Sequence, residues 1–417
     1  MYFPIYKDIF YNEALIMRRV LVGDFKIGKE EKEAINKVLD SGRISEGEKV
    51  RQFEDEWAKY TGTKHCVLMS SGTSALIAGM TAIKYVGYAS NNDQILTTPL
   101  TYVSTSNAIV LTGMEPVYVD VDIDTFGITY ENLKLFLEKN PDNKIKAILP
   151  VHLMGYPVNM GEINKLAKEN GLITIEDSAQ AHGSILNGKK TGSMSLFSCF
   201  SFYIAHNIQA GEMGALNTDD PQIKEYANKI KTNGRACSCR ICTRPKGICP
   251  QLKQDDNIDF DPRFSHDLIG FNFKAMEFQA ALGLLQLSKI KEIIKKRQEN
   301  VKYLNEGLEE FSDILKLPKY SDNVSYLAYP LVIKKPEVMK REKIRRLLEE
   351  NGVETRPLFG CIPAQQPAYS FLKGKYKLPN AEYLGLNAFY VGCHQYLNRE
   401  DLDYVISVFK KVLRKDL

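Results

Sequence analysis

Four cysteines lie close together in the second half of the chain, within the segment RACSCRICTRPKGICP. They are Cys237, Cys239, Cys242 and Cys249. In a reducing compartment such a cluster favours metal binding over disulfide formation. Four thiolates at this spacing could enclose either a zinc ion or an iron–sulfur cluster, and the spacing alone does not separate the two. Zinc would fasten the segment structurally, whereas an iron–sulfur cluster would supply electrons.

Two other segments could bind charged groups at the ends of predicted strands. The segment SSGTSAL, residues 70–76, follows the strand-like run HCVLM and opens a helix, so its backbone N–H groups would favour a phosphate. Small polar residues also cap helices that bind no ligand. In IEDSAQAHGS, Asp177 ends a buried strand, where a carboxylate is costly unless it meets a cation such as a protonated pyridine nitrogen. The alternative for Asp177 is a helix N-cap.

The elements that must position these residues alternate along the chain. From about residue 60 to 220, β-branched runs alternate with helical stretches, which predicts βαβ units and a mostly parallel sheet. Ligands bind such sheets at the carboxyl ends of the strands. A long helical run, EFQAALGLLQLSKIKEIIKKRQENVKYLNEGLEEF, is followed by a mixed region with the strand-like runs LAYPLVI and VETRPL. We predict an α/β fold with a large domain over residues 1–290, including a cysteine-rich loop at 235–265, and a smaller C-terminal α+β domain over 291–417.

The composition excludes several classes of protein. Hydrophobic residues make up 44% and charged residues 25% of the 417 residues, as in ordinary folded chains. The net charge of +4 arises from 55 basic and 51 acidic residues without a basic stripe, so we predict no nucleic-acid partner. No apolar run approaches the roughly 20 residues of a membrane span, and the N-terminus lacks the apolar core of a signal peptide. We therefore predict a cytoplasmic protein without a membrane partner.

Four motifs in this order resemble one known family. They are SSGTSAL, IEDSAQAHGS, FSFYIAHNIQAGEMGAL (200–216) and IGFNFKAMEFQAALGLLQL (269–287). Together they resemble the DegT/DnrJ/EryC1/StrS family of sugar-nucleotide aminotransferases, and the likeness runs from about Val22 to the C-terminus. The resemblance implies the type I pyridoxal-phosphate fold, similar to aspartate aminotransferase, with the larger domain binding the cofactor.

The resemblance also implies roles for single residues at matching positions. The predicted cofactor-binding residues are Gly72, Thr73, Tyr102, Asp177, Gln180, Ser201 and Asn272. The first two, with Ser201, would hold the cofactor phosphate, and Tyr102 would stack on the pyridine ring. Asp177 would pair with the ring nitrogen, and Gln180 would contact the ring hydroxyl. Asn272 would reach the phosphate of a neighbouring subunit, which implies a homodimer.

At His206 the sequence departs from the aminotransferases of the family. Five residues after the motif serine they carry the lysine that bonds covalently to the cofactor aldehyde. Imidazole cannot form that bond, and Lys190 and Lys224 belong to a turn and to the next helix. Because transamination needs the lysine, the substitution favours a subgroup with the same histidine, the sugar 3-dehydratases. The resemblance then implies noncovalently held pyridoxamine phosphate, with His206 moving protons while a nucleotide-linked 4-keto-6-deoxyhexose loses its C3 hydroxyl.

One branch of these dehydratases carries a [2Fe–2S] centre between the histidine motif and the GFNFKA motif. It receives electrons from a separate flavin-containing reductase. The resemblance therefore implies an iron–sulfur cluster on the four cysteines and a reductase partner, with structural zinc as the alternative. Two other functions stay open: a pyridoxal-phosphate-dependent, aminotransferase-like protein with a zinc site, and a non-catalytic family member. The sequence does not specify the nucleotide or the hexose of the substrate.

Overall fold

The computed structural model describes residues 18–141, 144–237, 239 and 264–414. Two of the four predicted metal ligands, Cys242 and Cys249, therefore lie outside the described residues, together with most of the cysteine-rich loop. The described residues form a seven-stranded sheet in the first half of the chain and a four-stranded sheet in the C-terminal part.

The first half of the chain supplies the strands of the larger sheet and one small hairpin. In chain order they are β1 (His65–Met69), β2 (Gln94–Thr97), β3 (Glu115–Tyr118), β4 (Ile145–Leu149), β5 (Ile173–Asp177), β6 (Ile185–Leu186), β7 (Lys189–Lys190), β8 (Phe197–Ser201) and β9 (Gly214–Thr218). The larger sheet has the order β1-β9-β8-β5-β4-β2-β3, and β6 pairs with β7. Only the two pairs made by β9 are antiparallel within this sheet. The prediction of a mostly parallel sheet is confirmed.

Helices cover this sheet. They are α1 (Lys29–Asp40), α2 (Glu48–Thr61), α3 (Gly72–Val86), α4 (Ser104–Leu111), α5 (Tyr130–Lys139), α6 (Met160–Glu169) and α7 (Pro221–Ile230). The sequence of α3, GTSALIAGMTAIKYV, is apolar or small on nearly every side, and the helix is buried over most of its length. A helix that is apolar all round belongs in the interior. Its N-terminus is therefore fixed against the sheet rather than exposed on the surface.

The C-terminal part is a second α+β unit, as predicted. It follows α8 (Glu277–Ser288), which packs against α1 and α2. It contains α9 (Ile290–Leu308), β10 (Leu315–Lys316), β11 (Tyr329–Ile333), α10 (Arg341–Glu350), β12 (Arg356–Pro357), α11 (Pro379–Asn387), β13 (Ala388–Val391) and α12 (Arg399–Arg414). The strands form an antiparallel sheet in the order β10-β11-β13-β12. One apolar face of α12 is buried, including Leu402, Val405 and Phe409. Across the described ranges, no helix is long and apolar enough to span a bilayer.

Residues 20–24, which we call the N-terminal strap, contact the segment before β12 and the loop after β8. The backbone N–H of Val20 donates to the carbonyl oxygen of Gly352 at 2.8 Å, and the N–H of Glu354 donates to the carbonyl oxygen of Val20 at 2.9 Å. At the other end of the strap, Nε2 of Gln209 donates to the carbonyl oxygen of Asp24 at 2.8 Å. The strap thus joins the smaller sheet to the loop after β8. The division of the chain at residue 290 stays a prediction.

Candidate active site

A cavity of about 410 Å³ lies at the carboxyl ends of the strands of the larger sheet. The strands β1, β5 and β8 each end at its edge. Most of the residues predicted from the sequence line this cavity: Gly72, Thr73, Tyr102, Asp177, Gln180, Ser201 and His206. Segments separated by more than 100 residues therefore meet at one sheet edge, as expected for an open α/β sheet.

The N-terminus of α3 forms one wall of the cavity. The hydroxyl of Ser71 accepts the backbone N–H of Ser74 at 3.1 Å and caps the helix. The N–H groups of Gly72 and Thr73 belong to the first turn and have no acceptor within the helix, so they are suited to bind an anion. A Cβ atom on Gly72 would lie 2.7 Å from Cβ of Ser201. Only glycine therefore allows this helix to approach the end of β8 so closely.

Asp177 is a buried carboxylate that faces the cavity at the end of β5. It is 4% exposed, and its Oδ2 accepts the hydroxyl of Thr105 at 2.8 Å while its Oδ1 accepts the backbone N–H of Ala179 at 3.2 Å. Burial raises the pKa of this carboxyl, although both hydrogen bonds act in the opposite direction. A cationic group bound in the cavity would reverse that shift.

Gln180 and Tyr102 also present groups to the cavity. The side-chain oxygen of Gln180 accepts the backbone N–H of Met154 at 3.0 Å. This bond orients the amide so that its Nε2 is left to donate to a bound molecule. The Tyr102 ring is 59% exposed and lies 5.8 Å from the ring of Phe359, measured between centroids. An aromatic ring this open can stack on a planar ligand.

His206 is half-buried in the loop after β8. Its Nδ1 lies 2.7 Å from the carbonyl oxygen of Ser201, so Nδ1 carries the hydrogen and Nε2 of the neutral ring is the proton acceptor. Burial lowers the pKa of His206 to about 4, and the nearby Arg297 acts in the same direction. The imidazole is consequently neutral at physiological pH and able to accept a proton.

Two other buried histidines serve the surrounding structure. Nε2 of His152 lies 3.0 Å from Oε1 of Glu176, and its Nδ1 accepts the backbone N–H of Val158 at 3.0 Å. His182 is fully buried, and its Nδ1 accepts the N–H of Ile208 at 3.2 Å in the His206 loop. Burial lowers the pKa of His182 well below its ordinary value. Both rings therefore orient neighbouring backbone.

The smaller sheet contributes a wall that the sequence did not reveal. Arg356 of β12, Tyr390 of β13 and Phe359 line the cavity opposite the larger sheet. Arg356 brings a positive charge to this wall, where its guanidinium lies 3.3 Å from Glu354. In the sequence this arginine was visible only within a strand-like run, and no spacing linked it to the four motifs earlier in the chain.

Asn272 is the one predicted cofactor residue that lies outside the lining of the cavity. It is exposed, and its backbone forms a bridge with Thr232. Its predicted role, contact with the phosphate of a neighbouring subunit, does not require it to line the cavity of its own chain. That role stays a prediction.

The cavity fits pyridoxal or pyridoxamine phosphate. The glycine-dependent helix N-terminus suits the phosphate, and the Asp177 carboxylate, which hydrogen-bonds only neutral donors, suits a protonated ring nitrogen. Gln180 and Tyr102 add a donor and an aromatic face. No lysine of the described chain lines the cavity. Lys190 instead lies over the Tyr60 ring, with 4.6 Å from its Nζ to the ring centroid.

Of the predicted metal ligands, two can be placed. Cys237 and Cys239 are half-buried and line a second cavity of about 350 Å³, beside the buried Lys231. Within the ranges that the structure describes, no three His, Cys, Asp or Glu side chains are grouped to hold a metal ion. The predicted metal site therefore depends on Cys242 and Cys249 and stays a prediction.

Comparison with known proteins identifies the family. Residues 25–410 match the DegT/DnrJ/EryC1/StrS aminotransferase family. The chain belongs to this family. One relative, GDP-4-keto-6-deoxy-D-mannose 3-dehydratase of Escherichia coli O55:H7, is 30% identical over 91% of this chain and 96% of the relative. Another, GDP-perosamine synthase of Escherichia coli O157:H7, is also 30% identical, over 90% of this chain and 93% of the relative.

A solved structure extends this comparison. Escherichia coli GDP-4-keto-6-deoxy-D-mannose-3-dehydratase with bound hydrated PLP matches with a TM-score of 0.83 and 28% identity, covering 94% of this chain and 100% of that chain. The predicted pyridoxal-phosphate fold of the DegT/DnrJ/EryC1/StrS family is confirmed. This is a family of sugar-nucleotide enzymes that use pyridoxal or pyridoxamine phosphate, and its members carry out different reactions.

Proposed function

We propose that this chain is a pyridoxamine-phosphate-dependent 3-dehydratase of a nucleotide-linked 4-keto-6-deoxyhexose. The observation that carries the proposal is the position of His206. It lines the cofactor cavity, which no lysine of the described chain lines, and its Nε2 is free to accept a proton. A side chain that moves protons but cannot hold the cofactor covalently suits an elimination better than a transamination.

In this proposal the residues of the cavity have separate roles in cofactor binding, proton transfer and substrate binding. When bound, pyridoxamine phosphate supplies an amine that reacts with the substrate ketone and a ring that accepts electrons. Gly72, Thr73 and Ser201 would hold its phosphate, while Asp177 and Gln180 would orient its ring. Nε2 of His206 would take up the proton released in the elimination and return it to the C3 hydroxyl, which leaves as water. Arg356 would attract the negatively charged nucleotide diphosphate.

The test is to identify the product. The full chain, loaded with pyridoxamine phosphate, is incubated with nucleotide-linked 4-keto-6-deoxyhexoses and a reductant, and the sugar is analysed by mass spectrometry and NMR. We expect a sugar nucleotide that has lost the oxygen at C3. An amino sugar formed in the presence of glutamate would contradict the proposal and support an aminotransferase.

We further propose that Cys237, Cys239, Cys242 and Cys249 hold a [2Fe–2S] cluster that receives electrons from a flavin-containing reductase. The support is the cysteine spacing and the need of a net deoxygenation for two electrons. Protein purified without oxygen should be brown and contain iron and sulfide. A colourless protein with one zinc ion per chain would contradict the iron–sulfur cluster. It would indicate a structural zinc site, and the electrons would then have to come by another route.

We also propose that the enzyme is a cytoplasmic homodimer in which Asn272 completes the neighbouring cofactor site. Asn272 is exposed beside Phe271 and Ile269, which are 38% and 82% exposed, and apolar side chains this open favour burial against another chain. Sedimentation should show a dimer, and Asn272→Ala should weaken cofactor binding. A monomer that binds the cofactor with unchanged affinity would contradict this assignment.

A further inference from the structure

Arg297 is a buried cation whose hydrogen-bond partners are neutral. It lies on α9 and is 1% exposed. Its Nε donates to Oε1 of Gln395 at 3.0 Å, and its Nη1 donates to the carbonyl oxygens of Leu327 at 2.7 Å and Tyr326 at 3.2 Å. A charge held in the interior without an opposite charge is costly, and an apolar side chain of similar size would be cheaper. Packing alone therefore does not explain why a charged arginine occupies this buried position.

The fourth hydrogen bond of Arg297 leads to the active site. Its Nη2 donates to the carbonyl oxygen of His206 at 3.5 Å. The backbone N–H of His206 donates to the carbonyl oxygen of Tyr203 at 2.9 Å, and the ring is held at Nδ1 by Ser201. The backbone and the ring of His206 are thus fixed at three points, one of which is a guanidinium rooted in α9.

The next residue of the loop is attached to the same part of the smaller unit. Nδ2 of Asn207 donates to the carbonyl oxygen of Ser325 at 2.9 Å. Arg297 itself binds the carbonyl oxygens of residues 326 and 327, and Leu327 lines the cavity. Arg297 therefore links the His206 loop to a segment whose Leu327 also lines the cavity.

Several titratable groups face His206. The ring of His182 lies 6.0 Å away and that of Tyr203 lies 6.1 Å away, measured between centroids. Across the cavity are Asp177, Glu212 and Arg356. Burial keeps His182 uncharged. Arg297 is the cation in hydrogen-bond contact with His206.

We propose that Arg297 is a positioning residue for His206: its guanidinium fixes the loop, and its positive charge, which forms an ion pair with no carboxylate of the described residues, keeps the imidazole in the neutral form that accepts a proton. This inference rests on the proposed function, in which His206 carries the proton. The nearby positive charge also acts to lower the pKa of His206, in agreement with the geometry.

The test separates charge from structure. Arg297→Met removes the positive charge and keeps much of the side-chain volume. If this variant does not fold, Arg297→Gln removes the charge with a polar side chain. Arg297→Lys keeps the charge. Asn300→Ala is the matched control, since Asn300 is another α9 residue, 1% exposed, whose Nδ2 binds the carbonyl oxygens of Cys393 and His394. The chain has six histidines, so carbon-13 labelling and NMR can follow His206 in the full-length protein.

We expect the methionine and glutamine variants to raise the pKa of His206 by roughly one pH unit, while the lysine and alanine variants leave it unchanged. The acid limb of kcat/KM should move to higher pH by the same amount. An unchanged His206 titration in a folded methionine or glutamine variant would overturn the inference. A titration that moves without any change of the acid limb would instead contradict the role of His206 in the proposed function.

Discussion

Nδ1 of His206 and the carbonyl oxygen of Ser201 lie 2.7 Å apart. A carbonyl oxygen can only accept a hydrogen bond, so this contact fixes the imidazole tautomer and leaves Nε2 as the basic nitrogen. The same six-residue stretch provides a predicted phosphate ligand and the predicted proton carrier. The spacing that an aminotransferase uses for its lysine here positions a proton acceptor.

Replacing His206 should separate proton transfer from covalent binding. We expect His206→Lys to bond covalently with added pyridoxal phosphate, which would appear as a new absorbance band, and to lower dehydration by roughly 10²–10⁴-fold because the proton carrier is lost. His206→Asn is the control that neither bonds to the cofactor nor transfers protons. Dehydration at the original rate in the lysine variant would remove His206 from the mechanism.

The pH dependence should report the lowered pKa of His206. A base must be unprotonated, so the rate falls as the pH drops through its pKa. Because burial places that pKa at about 4, we expect kcat/KM to hold down to about pH 5 and then decline. An acid limb near the ordinary histidine value of about 6.5 would contradict this expectation. The His206→Asn variant should lose the limb.

Two neighbouring buried carboxylates should respond to amide substitution in opposite ways. Burial raises the pKa of Asp177, so the protonated carboxyl favours the folded state at pH values below the unfolded pKa. This contribution to the free energy of unfolding is lost as the pH rises through the folded pKa. At neutral pH, Asp177→Asn should therefore stabilise the cofactor-free protein, by about 1 kcal/mol, while weakening cofactor binding. Thermal unfolding with and without pyridoxal phosphate measures both effects.

Glu176→Gln is the matched control for the Asp177 variant. Glu176 accepts hydrogen bonds from the N–H groups of Gly192 and Met194 and from the hydroxyl of Ser195, besides its contact with His152, and its pKa is lowered. Its substitution should destabilise the protein by about 1–3 kcal/mol. Equal losses of stability in both variants would contradict the expectation that burial of the Asp177 charge is costly in the cofactor-free protein.

Gly72→Ala should damage the phosphate wall. The added Cβ would lie 2.7 Å from Cβ of Ser201, so α3 must shift away from β8. We expect a stability loss of about 1–3 kcal/mol and cofactor binding weakened roughly tenfold. Gly161→Ala in α6 is the control, because its Cβ would meet no atom closer than 3.5 Å, and it should be neutral or stabilising by up to about 1 kcal/mol. Fluorescence titration with the cofactor checks both variants.

The sequence predicts the larger sheet well because its buried strands are short, β-branched and separated by turns. The run HCVLM coincides with β1, and β5 ends at Asp177 as predicted. The long run after residue 276 is less well predicted, since α8 and α9 are separate helices that meet at Lys289, where φ is −101° and ψ is 3°. The residue types there are compatible with one continuous helix, so only packing decides the break.

Residues that reach the site through tertiary packing were not predictable. Arg356 and Tyr390 belong to the smaller sheet, and Arg297 contacts the His206 loop from α9. None of them has a spacing relative to the motifs that identifies it. Thr105 lies three residues after Tyr102, yet its bond to Asp177 depends on how α4 is placed against the end of β5.

The N-terminal strap connects the segment around Val353 to the loop that carries His206. It runs as an extra edge beside Val353 and reaches the loop that carries His206, where a Cβ on Gly23 would lie only 3.4 Å from Cα of Ala205. A displacement of the segment around Val353 would therefore be transmitted through residues 20–24 to the loop that carries His206. Trimming the protein up to residue 24 would sever that tether, although the cut lies about 180 positions away in sequence from the histidine.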